Sequence, residues 1–262
     1  MDVKKSITAS IIITMSSLLL FQSGFFTILV LKVAIRLKIL LLFYVTTVLY
    51  HTIFIYLLVR RRDQFRTEPQ GRQLSRVNFA NFLTMTRLSS LPTICFMVVL
   101  SRQYSILTVL LVFISVVFLT DLFDGALSRL THQITRIGKL MDSFSDYLGL
   151  MVISIAFIIY NLIPIWFFIT LFVRGFVMIV GMWVLTRRRG YLKPQTSFIG
   201  KASFFAIMVL YAYEIFALVL AREGWAHTVA NILEYIVGVI LVVSIVDKLV
   251  YFTTELKTVK SK

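Results

Sequence analysis

Apolar residues in this chain come in runs of about 20, the length of helix that crosses a bilayer core, and short polar or basic breaks separate them. Two runs, 6–31 and 39–59, come first. Six more follow at roughly 81–101, 105–130, 136–160, 163–186, 202–221 and 229–252. The pattern predicts an all-α polytopic integral membrane protein, with a six-helix transmembrane core behind about two N-terminal hydrophobic helices. It divides the chain into a hydrophobic extension (1–62), a basic linker or interfacial helix (63–80), the six-span core (81–253) and a basic tail (254–262). The first run carries Ser16, Ser17, Gln22, Ser23 and Gly24 and is less apolar than the second. Lys4 and Lys5 precede it as in a signal peptide, but no short apolar stretch with a small-residue cleavage site follows, so it reads as an uncleaved span.

Composition agrees with this reading. The 262 residues are 59% hydrophobic with a mean hydropathy of +0.90, against about 45–50% apolar in soluble domains. The single cysteine, Cys95, excludes an internal disulfide and a cysteine-based metal site, and reads as a packed core thiol. The net charge of +15 does not point to nucleic acid, because the basic residues cluster at the ends of apolar runs. There they set topology and can hold anionic lipid or a phosphorylated substrate. With the 60–76 linker inside, the inner breaks of the core hold Arg129, Arg136, Lys139, Arg187, Arg188, Arg189 and Lys193, and the outer breaks hold only Arg102 and Arg222. Lys32, Arg36 and Lys38, between the first two runs, oppose this rule if both runs span; a re-entrant or interfacial first segment is the alternative.

The chemistry concentrates at the inner end of the second and third core spans. Asp121 and Asp124 lie one helical turn apart, and Asp142 and Asp146 are i, i+4, so each pair shares a face of its own helix. An ionised carboxylate inside a span costs about 2.5–3.5 kcal/mol, a cost tolerated when the charge meets a metal, a basic partner or water. Gly138 lies one turn before Asp142 and leaves a smooth strip for close approach. Two helices offering two carboxylates each make a cage for one or two hard divalent cations. Intramembrane aspartates also serve cation or proton transporters, but a transport path spreads its carboxylates through the membrane depth, whereas these four cluster at one end beside Arg129.

The stretch Asp121, Asp124, Gly125, Ser128, Arg129, Gly138, Asp142, Asp146 resembles the D-x2-D-G-x2-A-R-x8-G-x3-D-x3-D signature of the CDP-alcohol phosphotransferases, with every interval kept and only Ser128 departing from the usual alanine. A second resemblance precedes it: Asn81, Thr84, Arg87 and Pro92 follow the N-x2-T-x2-R-x4-P opening of the family's first core helix. The likeness covers roughly residues 78–252. It implies a membrane enzyme that transfers a phosphatidyl group from CDP-diacylglycerol to a small alcohol and releases CMP. It further implies that Asp121, Asp124, Asp142 and Asp146 hold Mg2+ or Mn2+ in a two-metal site, with Asp146 also the catalytic base. Gly125, Ser128, Arg129 and Gly138 would border the nucleotide, and the enzyme would be a homodimer among membrane lipids with its site facing the cytoplasm.

Arg87, a turn or two inside its span, calls for a phosphate or one of the motif carboxylates as partner, unless it snorkels. Arg174 and Lys201 resemble basic positions of the family's phosphatidylglycerophosphate synthases, although the usual Arg-Glu pair is Arg174-Gly175 here and a second lysine is Ala202 or Ser203. With Arg87 they form an expected pocket for an acceptor that carries its own phosphate, glycerol 3-phosphate first; interfacial snorkelling is the competing reading. Inositol phosphate, serine or choline as acceptor, and a CDP-choline or CDP-ethanolamine donor with diacylglycerol, stay open. His51, His132 and His227 show no zinc spacing, and no phosphate loop points to ATP.

Overall fold

The computed structural model describes residues 3–67, 71–130, 135–189, 197–219 and 224–260, with their side chains except at 118, 120–130, 186, 189, 218, 219 and 258–260. The described residues form eight α-helices and no strand: α1 (Val3–Val33), α2 (Leu37–Arg60), α3 (Phe79–Leu100), α4 (Leu107–Leu130), α5 (Arg136–Ile159), α6 (Ile165–Arg189), α7 (Phe198–Val219) and α8 (Gly224–Lys260). Seven of them are long and apolar enough to cross a membrane; in α4 the described apolar stretch is the shorter Leu107–Val117. The protein is an integral membrane protein of the all-α class. The chain divides into two compact units, Met1–Ala156 and Phe157–Lys262.

In the first unit α3 is the central helix. Its apolar window is 72% buried inside the protein, whereas those of α1 and α2 are 28% buried and turn most of their surface outward. Lipid is as apolar as leucine, so dispersion and polar contacts between helices hold such a bundle together. Both are present: Phe26 of α1 stacks on Phe43 of α2 at 3.9 Å between ring centroids, and Phe96 of α3 meets both rings edge-on. Deeper in the same seam, Thr93 of α3 donates to Gln22 of α1 at 2.7 Å, both residues fully enclosed. The turn from α1 to α2 is closed by Ile35 N–H donating to the Val30 carbonyl at 3.0 Å, with Ala34 left-handed at φ 53°.

The basic segment after α2 carries a 3₁₀ turn, Arg62–Gln64, and then folds back on itself. Leu74 N–H donates to the Phe65 carbonyl, and Thr67 N–H to that of Arg72, around Gly71 at φ 69°. Phe65 is completely buried. Arg136 N–H donates to the Arg66 carbonyl at 3.2 Å and Thr67 bridges to Thr135, so this segment fastens the start of α5.

The second unit is built on α8, whose 37 residues extend about 55 Å at helical rise, well beyond the roughly 30 Å of a hydrocarbon core. Helix α6 lies close against it where a glycine on one helix faces a ring on the other. A Cβ on Gly181 would overlap the ring of Phe252, and one on Gly238 would lie 2.7 Å from Trp166. Trp166 in turn stacks on Tyr235 at 5.4 Å.

This packing is testable. Gly181→Ala forces the buried Phe252 ring to move and is expected to destabilise the protein by about 1–3 kcal/mol, the usual effect of overpacking. A thermal melt in detergent reads this as a lowered midpoint, and Phe252→Leu in the same chain should recover part of the loss. An unchanged midpoint for Gly181→Ala would show that α6 and α8 have slack at this crossing.

Candidate active site

The site begins with how α3 and α5 start. Asn78 caps α3 by accepting from Asn81 N–H at 3.0 Å. Thr135 does the same for α5, its hydroxyl accepting from Gly138 N–H at 3.0 Å while donating to Asn81 Oδ1 at 2.9 Å. Asn81 therefore joins the N-terminal turns of the two helices. Gly138 completes the joint, since a Cβ there would stand 2.5 Å from Asn81 Oδ1 and 2.8 Å from Thr135 Oγ1. Its place is against Asn81, a closer reason for glycine than the nucleotide access expected from the resemblance. Thr84, the next motif position, is buried and donates to the Ala80 carbonyl.

With the helix starts fixed, the third motif residue of α3 reaches the carboxylates of α5. Arg87 donates from one terminal nitrogen to Asp142 Oδ1 at 2.6 Å and from the other to Asp146 Oδ1 at 3.0 Å. Asp142 and Asp146 lie one turn apart, so the planar guanidinium can address both at once from separate nitrogens in a fixed geometry. Side-chain exposure is 7% for Arg87 against 47% and 29% for Asp142 and Asp146. The cation is sealed behind two anions that keep open access. Both carboxylates share this one guanidinium and stay partly accessible around it.

Of the sequence-predicted residues, Arg87, Gly138, Asp142 and Asp146 come together in this first unit. Asp121, Asp124, Gly125, Ser128 and Arg129 lie on the helical backbone of α4, but their side chains are outside the described residues. Among the described residues no group of three or more His, Cys, Asp or Glu side chains is placed to hold a metal. The donor set nevertheless fits a hard divalent cation, because Asp142 and Asp146 present accessible carboxylate oxygens, the ligand type such an ion takes.

Arg174 and Lys201 belong to the second unit. Arg174 is 5% exposed and donates to Ser244 Oγ at 3.1 Å, to the Gly200 carbonyl at 3.1 Å and to Ser203 Oγ at 2.8 Å. It therefore does not snorkel; it links α6 to α7 and α8. Lys201 is exposed at the first turn of α7. Ser197 caps that turn, accepting from Gly200 N–H and donating to Asp247 at 2.7 Å. Sequence reasoning missed Lys248, which is 4% exposed and comes within 3.8 Å of where a Gly200 Cβ would stand. The signal was available: Ser244 and Lys248 are i, i+4 polar residues in an apolar run. It also missed Glu214 and Glu234, both buried, which line a cavity of about 330 Å3 with Asn161, His227 and Asn231 at the other end of α7.

Residues 77–246 match the family described as CDP-alcohol phosphatidyltransferase. Similar proteins carry names of the same reaction type. A cardiolipin synthase (CMP-forming) of Streptomyces coelicolor is 29% identical over 159 residues, covering 58% of this chain and 70% of the relative. A putative cardiolipin synthase of Mycobacterium tuberculosis is 28% identical over 181 residues, 66% of this chain and 85% of the relative. A CDP-diacylglycerol–glycerol-3-phosphate 3-phosphatidyltransferase of Aquifex aeolicus is 27% identical over 181 residues, 65% and 93%. The match takes in both helix starts, the Arg87 pair and all four motif aspartates, and the chain belongs to the CDP-alcohol phosphatidyltransferase family.

Proposed function

We propose that this protein transfers the phosphatidyl group of CDP-diacylglycerol to a glycerol hydroxyl of an acceptor that carries its own phosphate, releasing CMP. The observation that carries the reaction class is the Arg87–Asp142–Asp146 arrangement within an intact aspartate signature. In the proposed reaction the acceptor oxygen bonds to the phosphatidyl phosphorus, the bond from that phosphorus to CMP breaks, and the acceptor proton passes to Asp146. Asp121, Asp124, Asp142 and Asp146 would hold Mg2+ or Mn2+, which when bound neutralises the diphosphate and stabilises the leaving group. Arg87 keeps the two α5 carboxylates at a fixed spacing, and Gly125, Ser128 and Arg129 border the nucleotide. The catalytic end faces the cytoplasm, on the strength of the inner arginines and lysines.

The phosphorylated acceptor follows from charge. Such an acceptor adds negative charge to a diphosphate and four carboxylates, so fixed cations must receive it. Arg174 and Lys201, the basic positions the family resemblance offers, are the candidates for that role, with Lys248 close to Gly200 beside them. Glycerol 3-phosphate is the first acceptor on this reading. The relatives named cardiolipin synthase favour a second, the glycerol headgroup of phosphatidylglycerol, which offers the same phosphate and hydroxyl while attached to lipid. Purified protein with CDP-diacylglycerol and Mg2+ decides between them: CMP release with glycerol 3-phosphate in water, or only with phosphatidylglycerol in the micelle. Release with free serine, inositol or choline alone would defeat the phosphorylated-acceptor reading.

Three outcomes are expected. Asp124→Asn should abolish CMP formation and EDTA should do the same to the wild type, since a neutral amide cannot balance a cation–diphosphate cluster; full activity in either case refutes the metal cage. Asp146→Asn should lose turnover far more than CDP-lipid binding, because a proton acceptor acts in the transition state; equal loss of nucleotide affinity would make it a metal ligand alone. Lys201→Gln and Arg174→Gln should raise the acceptor KM on the order of 10–100-fold, as expected for losing a charge-assisted phosphate contact, with the CDP-lipid KM nearly unchanged. Because Arg174 also braces three helices, Lys201→Gln is the cleaner of the two.

A further inference from the structure

The two N-terminal helices lie outside the matched family region, yet they reach the helix that carries Arg87. Pro92 sits inside α3 and has no N–H, so the carbonyl of Leu88, one turn earlier, loses its helical donor. A buried carbonyl without a donor is costly, and more so where no water is at hand. Tyr50 of α2 supplies the donor, its hydroxyl lying 2.9 Å from the Leu88 oxygen. The next residue of α2, His51, is fully buried and meets Ser89 Oγ through Nε2 at 2.8 Å. Its Nδ1 lies 2.8 Å from the Thr47 carbonyl. A carbonyl only accepts, so Nδ1 carries a proton, and Nε2 and the Ser89 hydroxyl share the second hydrogen bond.

Leu88 and Ser89 are the two residues that follow Arg87. Ser90 donates back to the Arg87 carbonyl at 2.7 Å, so the carbonyl of Arg87 is engaged from within α3 by Ser90, that of Leu88 from α2 by Tyr50, and the Ser89 side chain from α2 by His51. We infer that Tyr50 and His51 are positioning residues, which set the Arg87 guanidinium on Asp142 and Asp146 by securing the α3 backbone where Pro92 interrupts its hydrogen-bond ladder. The N-terminal hairpin then serves the reaction as well as the membrane anchoring. The inference takes from the proposed reaction only that CMP is released, and is independent of which acceptor is used.

The test is a pair of double-mutant cycles on the full-length protein in detergent, with CMP release and amide hydrogen exchange as readouts. Tyr50→Phe removes one oxygen and should lower kcat about tenfold, the scale of one lost hydrogen bond, leaving the CDP-lipid KM unchanged. It should also speed exchange over the stretch following Arg87. Pro92→Ala restores the missing N–H, so in that background Tyr50→Phe should change neither readout. In the Arg87→Lys background the kcat loss should vanish while the faster exchange persists. Equal losses from Tyr50→Phe in all three backgrounds, or wild-type kcat for Tyr50→Phe alone, overturn the inference. If Tyr50→Phe does not fold, Ser89→Ala, which frees His51 Nε2, is read against Arg87→Lys in the same way. The exchange arm keeps the two proposals separate: a wild type that releases no CMP with any acceptor defeats the proposed function, whereas exchange unaffected by Tyr50→Phe defeats the bracing.

Discussion

A single guanidinium shared between two carboxylates sets the terms for the first half of this molecule. Asp142 and Asp146, one turn apart on α5, would repel each other without a cation between them. Arg87, buried within α3, would lose both of these charged partners without them. Each side requires the other at a defined distance, which requires α3 and α5 to begin in register. That register comes from neutral hydrogen bonds one end further down, where Asn81, Thr135 and Gly138 interlock. Asp142 and Asp146 keep accessible oxygens on the open side of the pair, the ligand type a hard divalent cation takes. The same pair thus serves cohesion and chemistry.

Helix α3 can carry so much polarity because its polar side chains bond either to its own carbonyls or to one of three neighbouring helices. Asn81 and Arg87 face α5, Ser89 faces α2 and Thr93 faces α1. In a bilayer, polar contacts of this kind distinguish the intended partner from lipid, because apolar surface alone does not. The second unit follows the same rule with other residues. Arg174 collects Ser244, Ser203 and the Gly200 carbonyl, and the close approaches at Gly181 and Gly238 admit the rings of Phe252 and Trp166.

Much of this was legible in the sequence, and the remainder was hidden for a physical reason. Runs of bilayer length marked all eight helices to within a few residues at most ends, because the bilayer fixes both length and composition. The expected tail is the exception. Helix α8 continues to Lys260, since Thr253–Lys260 contains neither glycine nor proline and ends in lysines that suit a helix C-terminus. The carboxylate pairs were readable because i, i+4 spacing is local. Whether Arg87 would meet phosphate or carboxylate was open, and the pairing with Asp142 and Asp146 depends on residues 55 and 59 positions away. The contacts of Tyr50 and His51 were invisible for the same reason: aromatic and histidine side chains in an apolar run look alike whether they face lipid or a broken helix ladder. Lys248 went unnoticed because one lysine near a run's end resembles a topology signal until its burial is seen.

The stacked Phe26 and Phe43 and the enclosed Phe65 all precede residue 77, where similarity to the family begins, and the Gln22–Thr93 bond crosses that boundary. The limit of recognisable ancestry is therefore not a limit of cooperative folding. A fragment trimmed to residues 77–246 would keep every signature residue and expose the polar face of α3 to hydrocarbon. The hairpin belongs to the same compact unit as α3 and α5, so any inventory of modules based on sequence kinship alone would divide that unit in the wrong place.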